Sequence, residues 1–322
     1  MDHDSLTRLP APWEHRHPRF AAWTHIASGT WLLLLTTILY GYRRGRWWRP
    51  LLVPAAAAHL VRAHRLLQAN PEGVRVTART ATRGSYGIDG GYVAVAVFGL
   101  AELGLTGATI RALRRGHRGR AGLGAVAGAA VAGSCASFLY STGPGKRSLW
   151  AEILDELSLR GDEHVLDVGC GRGAILILAA HRLPRGKAVG VDVWRARDQN
   201  GNTRAATEHN AVVEGLRDRV EVIDADAREL PFPNATFDLV VSNLTIHNID
   251  TEQGRKRAVL EATRVLRPGG QLRIVDPPGA QRYAEWLHQA GCVEIEARKL
   301  DCRTWFGVPG HHAVLVAARN ST

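Results

Sequence analysis

Between His164 and Asp276 five short apolar runs recur, each rich in β-branched residues: HVLDVG, AVGVDV, RVEVID, FDLVVSN and QLRIVD. Each is closed by an acid, a glycine or an asparagine. The stretches AILILAAHRL, TRAATEHNAVVEGL and TEQGRKRAVLEATRVL lie between them and carry helical spacing. Runs this short and this apolar must bury both faces. Strands of a parallel sheet flanked by crossover helices meet that condition. The fold class is therefore α/β, a doubly wound sheet. In such sheets ligands bind beyond the carboxyl ends of the strands, beside the first strand. Asp167, Asp192, Asp226 and Asn243, which close or follow their strands, then share one rim.

The first run leads into VLDVGCGRGA, a turn with three alternating glycines. Read as G-x-G-x-x-A (Gly169, Gly171, Ala174), it fits a dinucleotide fingerprint. Read as D-x-G-x-G-x-G (Asp167, Gly169, Gly171, Gly173), it fits a nucleoside cofactor without phosphate. Asp192, in VGVDVW, is placed to accept both hydroxyls of a ribose, which suits NAD and S-adenosylmethionine equally. DADARELPF follows the third run. There Asp226 can accept from an adenine amine while the Ala227 amide donates to a ring nitrogen. RVLRPGGQL then sets a Pro-Gly-Gly turn before the fifth strand.

In order and spacing these stretches resemble the class I S-adenosylmethionine-dependent methyltransferases, and most of all the group that includes the quinone-biosynthesis C-methyltransferases. The resemblance covers roughly Trp150 to Ala317. It implies a Rossmann-like, seven-stranded sheet whose last strand, HHAVLVAA, runs antiparallel. It carries the cofactor role to Asp167, Gly169, Gly171 and Gly173 at the methionine end, to Asp192 at the ribose, and to Asp226 and Ala227 at the adenine; Asn243, from its place on the same rim, is a further candidate for cofactor binding. The sequence departs from the family at WRARDQNGNT, after Asp192. That loop reads equally as a solvated cap for the next helix, with Asn202 or Thr203 as N-cap, and as a lid or pocket wall bearing Trp194, Asp198, Gln199 and Asn200.

Methyl transfer from a sulfonium is an in-line displacement, so the protein chiefly supplies alignment and a dry pocket. A base is needed only where the acceptor must lose a proton. His247, in SNLTIHNI, is the candidate, and packing beside the cofactor is its other reading. Asn243, Asn248 and Arg172 are candidate orienting groups. Trp194, Leu244 and Ile246 are candidate apolar contacts to the acceptor. His311 and His312 stand at the head of the last run, where adjacent residues face opposite ways, and no metal site is expected. Cys135, Cys170, Cys292 and Cys302 have no ligand spacing and read as free thiols.

The first 145 residues have a different texture. They hold 17 arginines, no lysine and 6 acids, a net charge of +11 that accounts for the excess of the whole chain. These arginines flank apolar runs, which points to a membrane surface rather than nucleic acid. After a polar leader, residues 1–20, Ala21–Tyr42 is a 22-residue stretch without Asp, Glu, Lys or Arg, followed by the collar RRGRWWR. It is long enough to cross a bilayer. Gly90–Ile110 and Ala121–Gly145 have span length too, while Leu51–Val61 is short and proline-flanked. Residues 21–145 are thus expected to form an α-helical transmembrane region of three or four helices. Residues 146–322 are expected to form the methyltransferase domain, with S-adenosylmethionine as cofactor. The expected protein is multi-pass in the cell membrane, with a cytoplasmic catalytic domain, membrane lipids as partners and a lipophilic small molecule as substrate: a quinone, a terpenoid or a lipid. Two alternatives stand beside it, a protein or RNA methyltransferase merely located at the membrane and a non-catalytic cofactor-binding membrane protein.

Overall fold

The computed structural model describes residues 84–89 and 91–321. The leader, the run Ala21–Tyr42, its arginine collar and the run Leu51–Val61 lie outside these residues. Two long helices, α1 (Gly91–Arg114) and α2 (Arg118–Tyr140), cover the two later apolar runs. The helical segments Val95–Arg114 and Arg118–Glu156 are long and apolar enough to cross a membrane, by length and composition. A π-helical stretch, Ser141–Gly145, carries α2 into α3 (Lys146–Glu156).

The chain divides into two compact units, residues 1–77 with 102–130, and residues 78–101 with 131–322. The first, among its described residues, holds the far part of α1 and the near part of α2. The second holds a seven-stranded sheet in the order β3-β2-β1-β4-β5-β7-β6. Its strands are β1 (His164–Val168), β2 (Lys187–Asp192), β3 (Val220–Asp224), β4 (Phe237–Asn243), β5 (Leu266–Asp276), β6 (Val293–Lys299) and β7 (Val314–Arg319). The first five are parallel, and β7 runs antiparallel to both β5 and β6. The order reverses between β1 and β4, which opens a crevice at the carboxyl end of β1.

All five quoted runs are strands. β5 starts five residues earlier than its run because Leu266 pairs with Phe237 and a register shift then absorbs the Pro-Gly-Gly turn. β7 begins at Val314 rather than at His311. β6 is an exposed edge strand, VEIEARK, whose charged sequence lacks the apolar pattern of the others.

Helices α4 (Ala174–Ala180), α5 (Arg204–Val213), α6 (Glu252–Arg264) and α7 (Tyr283–Gln289) complete the unit. One core cluster joins α3 and α4 to a face of the sheet, and the other joins α6 and α7 to the opposite face. All seven residues of α4 are buried, and Gly190 of β2 leaves room for Leu176. The unit also reaches upstream of the boundary drawn at Lys146. Ser85 exchanges hydrogen bonds with the Asn210 side chain, and Ile88 does so with Asn200. Leu176→Ala should remove buried side-chain volume where α4 meets β2 and lower unfolding stability by about 2–5 kcal/mol, measured by urea denaturation.

Candidate functional site

The glycine turn is fastened to the second strand before any ligand arrives. The amides of Gly169 and Cys170 both donate to the Val191 carbonyl, at 2.8 and 3.0 Å. Gly169 has φ +74°, and a Cβ there would strike the Thr245 side chain. Gly171 has φ +53°, and a Cβ there would strike Gln199 Oε1. Only glycine fits either position. Asp192, at the end of β2, accepts from the amides of Gly171 (2.9 Å) and Trp194 (2.6 Å) and from Asn202 Nδ2 (3.3 Å). Its carboxylate is oriented by three donors that belong to the turn and to the loop after it.

That loop forms part of the pocket. Gln199 is buried, accepts from the Arg172 amide at 2.8 Å and donates to Asp89 at 3.0 Å. Arg195, Asp198, Gln199 and Asn202 line the cavity above the glycine turn. Thr203 is the N-cap of α5, its side chain accepting from the Ala206 amide. Trp194 does not reach the cavity. It sits at φ +58°, donates its indole N–H to Asp224 at 2.7 Å and packs against the core.

Asp167, Gly169, Gly171, Asp192, Asp226, Ala227 and Asn243 line this one cavity. Gly173 stands apart from it as the left-handed N-cap of α4. The charge of the cavity bears on the two cofactor classes left open by the glycine pattern. Asp167 is 1% exposed, and neither carboxylate oxygen has a hydrogen-bond partner. Burial pushes its pKa up to about 7, with the nearby Leu176 backbone N–H and the Lys146 charge pulling it down and the Asp192 charge adding to the rise. A bare carboxylate beside the glycine turn repels a pyrophosphate and attracts an ammonium, which fits S-adenosylmethionine and opposes a dinucleotide. The Arg228 side chain grips Asp226 at 2.6 Å and holds its pKa below the usual carboxylate range. Asn243 Oδ1 accepts from the buried Trp150 indole at 2.7 Å, which fixes the orientation of the amide.

A second cavity adjoins the first and shares Asp89, Asp198, Leu244 and Asn248 with it. Phe138, Pro277, Phe306 and Val308 give it apolar walls, and His247 and His311 also face it. His247 therefore belongs to the neighbouring cavity and not to the cofactor cavity. Its Nδ1 lies 3.0 Å from Asp276 Oδ1, and its backbone N–H donates to Asp276 Oδ2 at 3.0 Å. Tyr283 donates its hydroxyl to the same Oδ2 at 2.9 Å. Asp276 is fully buried. An ionised carboxylate only accepts, so a neutral His247 carries its proton on Nδ1 and keeps a lone pair on Nε2. Burial, together with the Asp276 charge, raises the Tyr283 pKa, so this phenol remains a donor.

Asp276 and Tyr283 were not singled out in the sequence, where Asp276 is only the acid that closes the fifth run. Asn248 lines both cavities. Arg172 is turned back, with Nη1 3.3 Å from the Asn200 carbonyl, and Ile246 is buried in the core. His312 stands edge-on to Trp305 while His311 faces the second cavity. Among the described residues no three His, Cys, Asp or Glu side chains group as a metal site.

Asp167 gives this site a pH signature. Its native pKa of about 7 exceeds the unfolded value of about 3.9. The native chain therefore holds a proton, over the interval between them, that the unfolded chain has lost. The stabilising contribution is complete below the unfolded pKa and disappears as pH rises through the native one. Asp167→Asn keeps the shape without the charge. Its stability relative to the wild type should rise between pH 5 and pH 8 by on the order of a few kcal/mol, followed by urea denaturation without cofactor. An unchanging difference would show that Asp167 does not titrate in this way.

Residues 166–274 match the family model described as a methyltransferase domain. The 27-O-demethylrifamycin SV methyltransferase of Amycolatopsis mediterranei is 33% identical over 153 residues, 45% of this chain and 52% of that protein. The demethylmenaquinone methyltransferase of Symbiobacterium thermophilum is 33% identical over 122 residues, 38% of this chain and 45% of that protein. The ubiquinone/menaquinone biosynthesis C-methyltransferase of Roseobacter denitrificans is 32% identical over 133 residues, 41% of this chain and 50% of that protein. The chain thus spans about half the length of each of these relatives. The residues that match the methyltransferase-domain model lie on this sheet and around this glycine turn.

Proposed function

We propose that the protein is a membrane-anchored methyltransferase that moves the methyl group of S-adenosylmethionine to a lipophilic small molecule. The observation that carries this reading is the second cavity, apolar along one side and joined to the cofactor cavity through Leu244 and Asn248. Phe138 and Thr142, two of its lining residues, lie in the segment Arg118–Glu156, which is apolar enough to cross a membrane. An acceptor dissolved in a bilayer would meet that helix before it met the cavity. Relatives named for menaquinone and ubiquinone biosynthesis support an apolar acceptor. The catalytic domain would face the cytoplasm, where the cofactor is made.

The cofactor supplies a methyl carbon already activated by its sulfonium. Asp192 would hold the ribose and Asp226 with Ala227 the adenine, while Asp167 and the glycine turn hold the amino-acid end. The apolar walls exclude water. Asp276 orients His247, whose Nε2 can take the acceptor's proton as the acceptor attacks, and Tyr283 fixes the carboxylate behind it. Asn248 is placed to orient the acceptor between the two cavities.

Purified full-length enzyme, given methyl-labelled cofactor, should place label in extracted lipids of its host and not in the soluble metabolites, RNA or protein. Label confined to those other fractions would overturn the lipophilic acceptor. The full-length chain should also stay in the membrane pellet after alkaline carbonate, because spans are held by apolar burial rather than by charge; release by salt alone would mean surface attachment. His247→Ala should leave S-adenosylhomocysteine affinity unchanged and lower turnover by about 10²–10⁴-fold, with part of the loss recovered at high pH. Unaltered turnover would mean that His247 serves only packing.

A further inference from the structure

One wall of the cofactor cavity comes from residues upstream of the sheet, Asp89 and Lys146. Lys146 opens α3 and is only 6% exposed. Its ammonium donates to both oxygens of Asp89, at 2.8 and 2.7 Å. Asp89 Oδ1 also accepts from Gln199, whose Oε1 in turn accepts from the Arg172 amide in the glycine turn. The lysine is therefore aimed by a chain of hydrogen bonds that ends on the turn the cofactor touches.

The unfilled hydrogen-bonding capacity in this cavity has a pattern. An ammonium carries three N–H donors, and Asp89 accounts for two of those on Lys146. Asp167, in the same cavity, has two acceptor oxygens and no donor. A spare donor on a buried cation and a bare carboxylate are what an α-amino acid zwitterion requires, since its carboxylate needs a cation and its ammonium an anion. Asp192, Asp226 and Ala227 account for the nucleoside end and offer nothing to that zwitterion.

We infer that Lys146 binds the carboxylate of the cofactor's amino-acid end, with Asp89 as its positioning residue and Asp167 receiving the ammonium, an assignment that rests on the methyltransferase reading of the cavity. Lys146 is the first lysine in the chain, and Asp89 precedes helix α1. The recognition of the amino-acid end thus draws on the segment that leads into an apolar helix, and a piece of chain beginning at Lys146 would lack the positioning carboxylate.

Binding alone tests this, on the full-length protein in nanodiscs by calorimetry. Three ligands separate the parts: S-adenosylhomocysteine, S-adenosyl-3-thiopropylamine, which keeps the amine and lacks the carboxylate, and 5′-methylthioadenosine, which lacks both. The wild type should prefer S-adenosylhomocysteine to the thiopropylamine by about tenfold or more, the range for a hydrogen bond to a charged group. Lys146→Met should abolish that preference while leaving methylthioadenosine affinity within about twofold, and Lys146→Arg should restore part of it. Equal wild-type affinities for the first two ligands would overturn the assignment whether or not the variant folds. So would a preference that survives in Lys146→Met, or a variant that weakens all three ligands alike, which is what a lysine that only staples the chain would give. A wild-type protein that binds none of the three would overturn the methyltransferase reading itself.

Discussion

A carboxylate with no hydrogen-bond partner, buried at the end of the central strand, is the constraint around which this domain is arranged. Asp167 sits among Val165, Leu166 and Val168, all of them fully buried. Leaving such a group unpaired costs free energy that the surrounding core must offset. The fold has the means to do so, because β1 is paired on both sides and covered on both faces. The cost has a functional sense. A polar group already satisfied by the protein has less to offer a ligand, and a preformed bare carboxylate loses no partner when an ammonium arrives. Asp192 shows the complementary solution, since three donors hold its carboxylate in place on the wall of the cavity.

The strands were legible because a parallel sheet buried on both faces leaves an unmixed apolar signature, and FDLVVSN coincides with β4 residue for residue. β6 was invisible for the converse reason. At the sheet edge its side chains meet solvent, so VEIEARK carries charge at positions where β1 carries valine and leucine. The acids that line the cavity were legible because they close or follow strands that are themselves plain in the sequence. Trp194 misled because sequence position places it on the rim, whereas a left-handed backbone and a bond to Asp224 turn it away. Asp276 and Tyr283 escaped notice because their partnership with His247 joins two strand ends and a helix, which no local pattern records.

The boundary between the two halves of the chain is less sharp in space than in composition. The shift from arginine-rich, acid-poor sequence to balanced sequence falls near Lys146. Contacts instead assign residues 78–101 to the unit that holds the sheet. The lead-in 84–89 is attached by Tyr86, which is buried in the core cluster of α3 and α4, and by a set of polar contacts: Gly84 to Glu214, Ser85 to Asn210, Ile88 to Asn200 and Asp89 to Lys146. One buried tyrosine and a few hydrogen bonds leave little hydropathy signal in so short a segment.

The two cavities together explain why the histidine stands where it does. A base adjacent to the sulfonium would be protonated less readily beside a positive charge and would compete with the acceptor for space. Set in the neighbouring cavity, across Leu244 and Asn248, His247 would face the acceptor in the proposed reaction. Asp276 then serves two ends at once: it fixes the tautomer through Nδ1 and the position of the ring through the backbone N–H. Such a pair acts only on an acceptor with a proton to lose, such as a phenol, an enol or a carbon acid made nucleophilic by a neighbouring hydroxyl. On the proposed reading the apolar walls would select for the body of that acceptor and the histidine for its reacting group, and a molecule that satisfies both is amphiphilic, which is also what a bilayer concentrates.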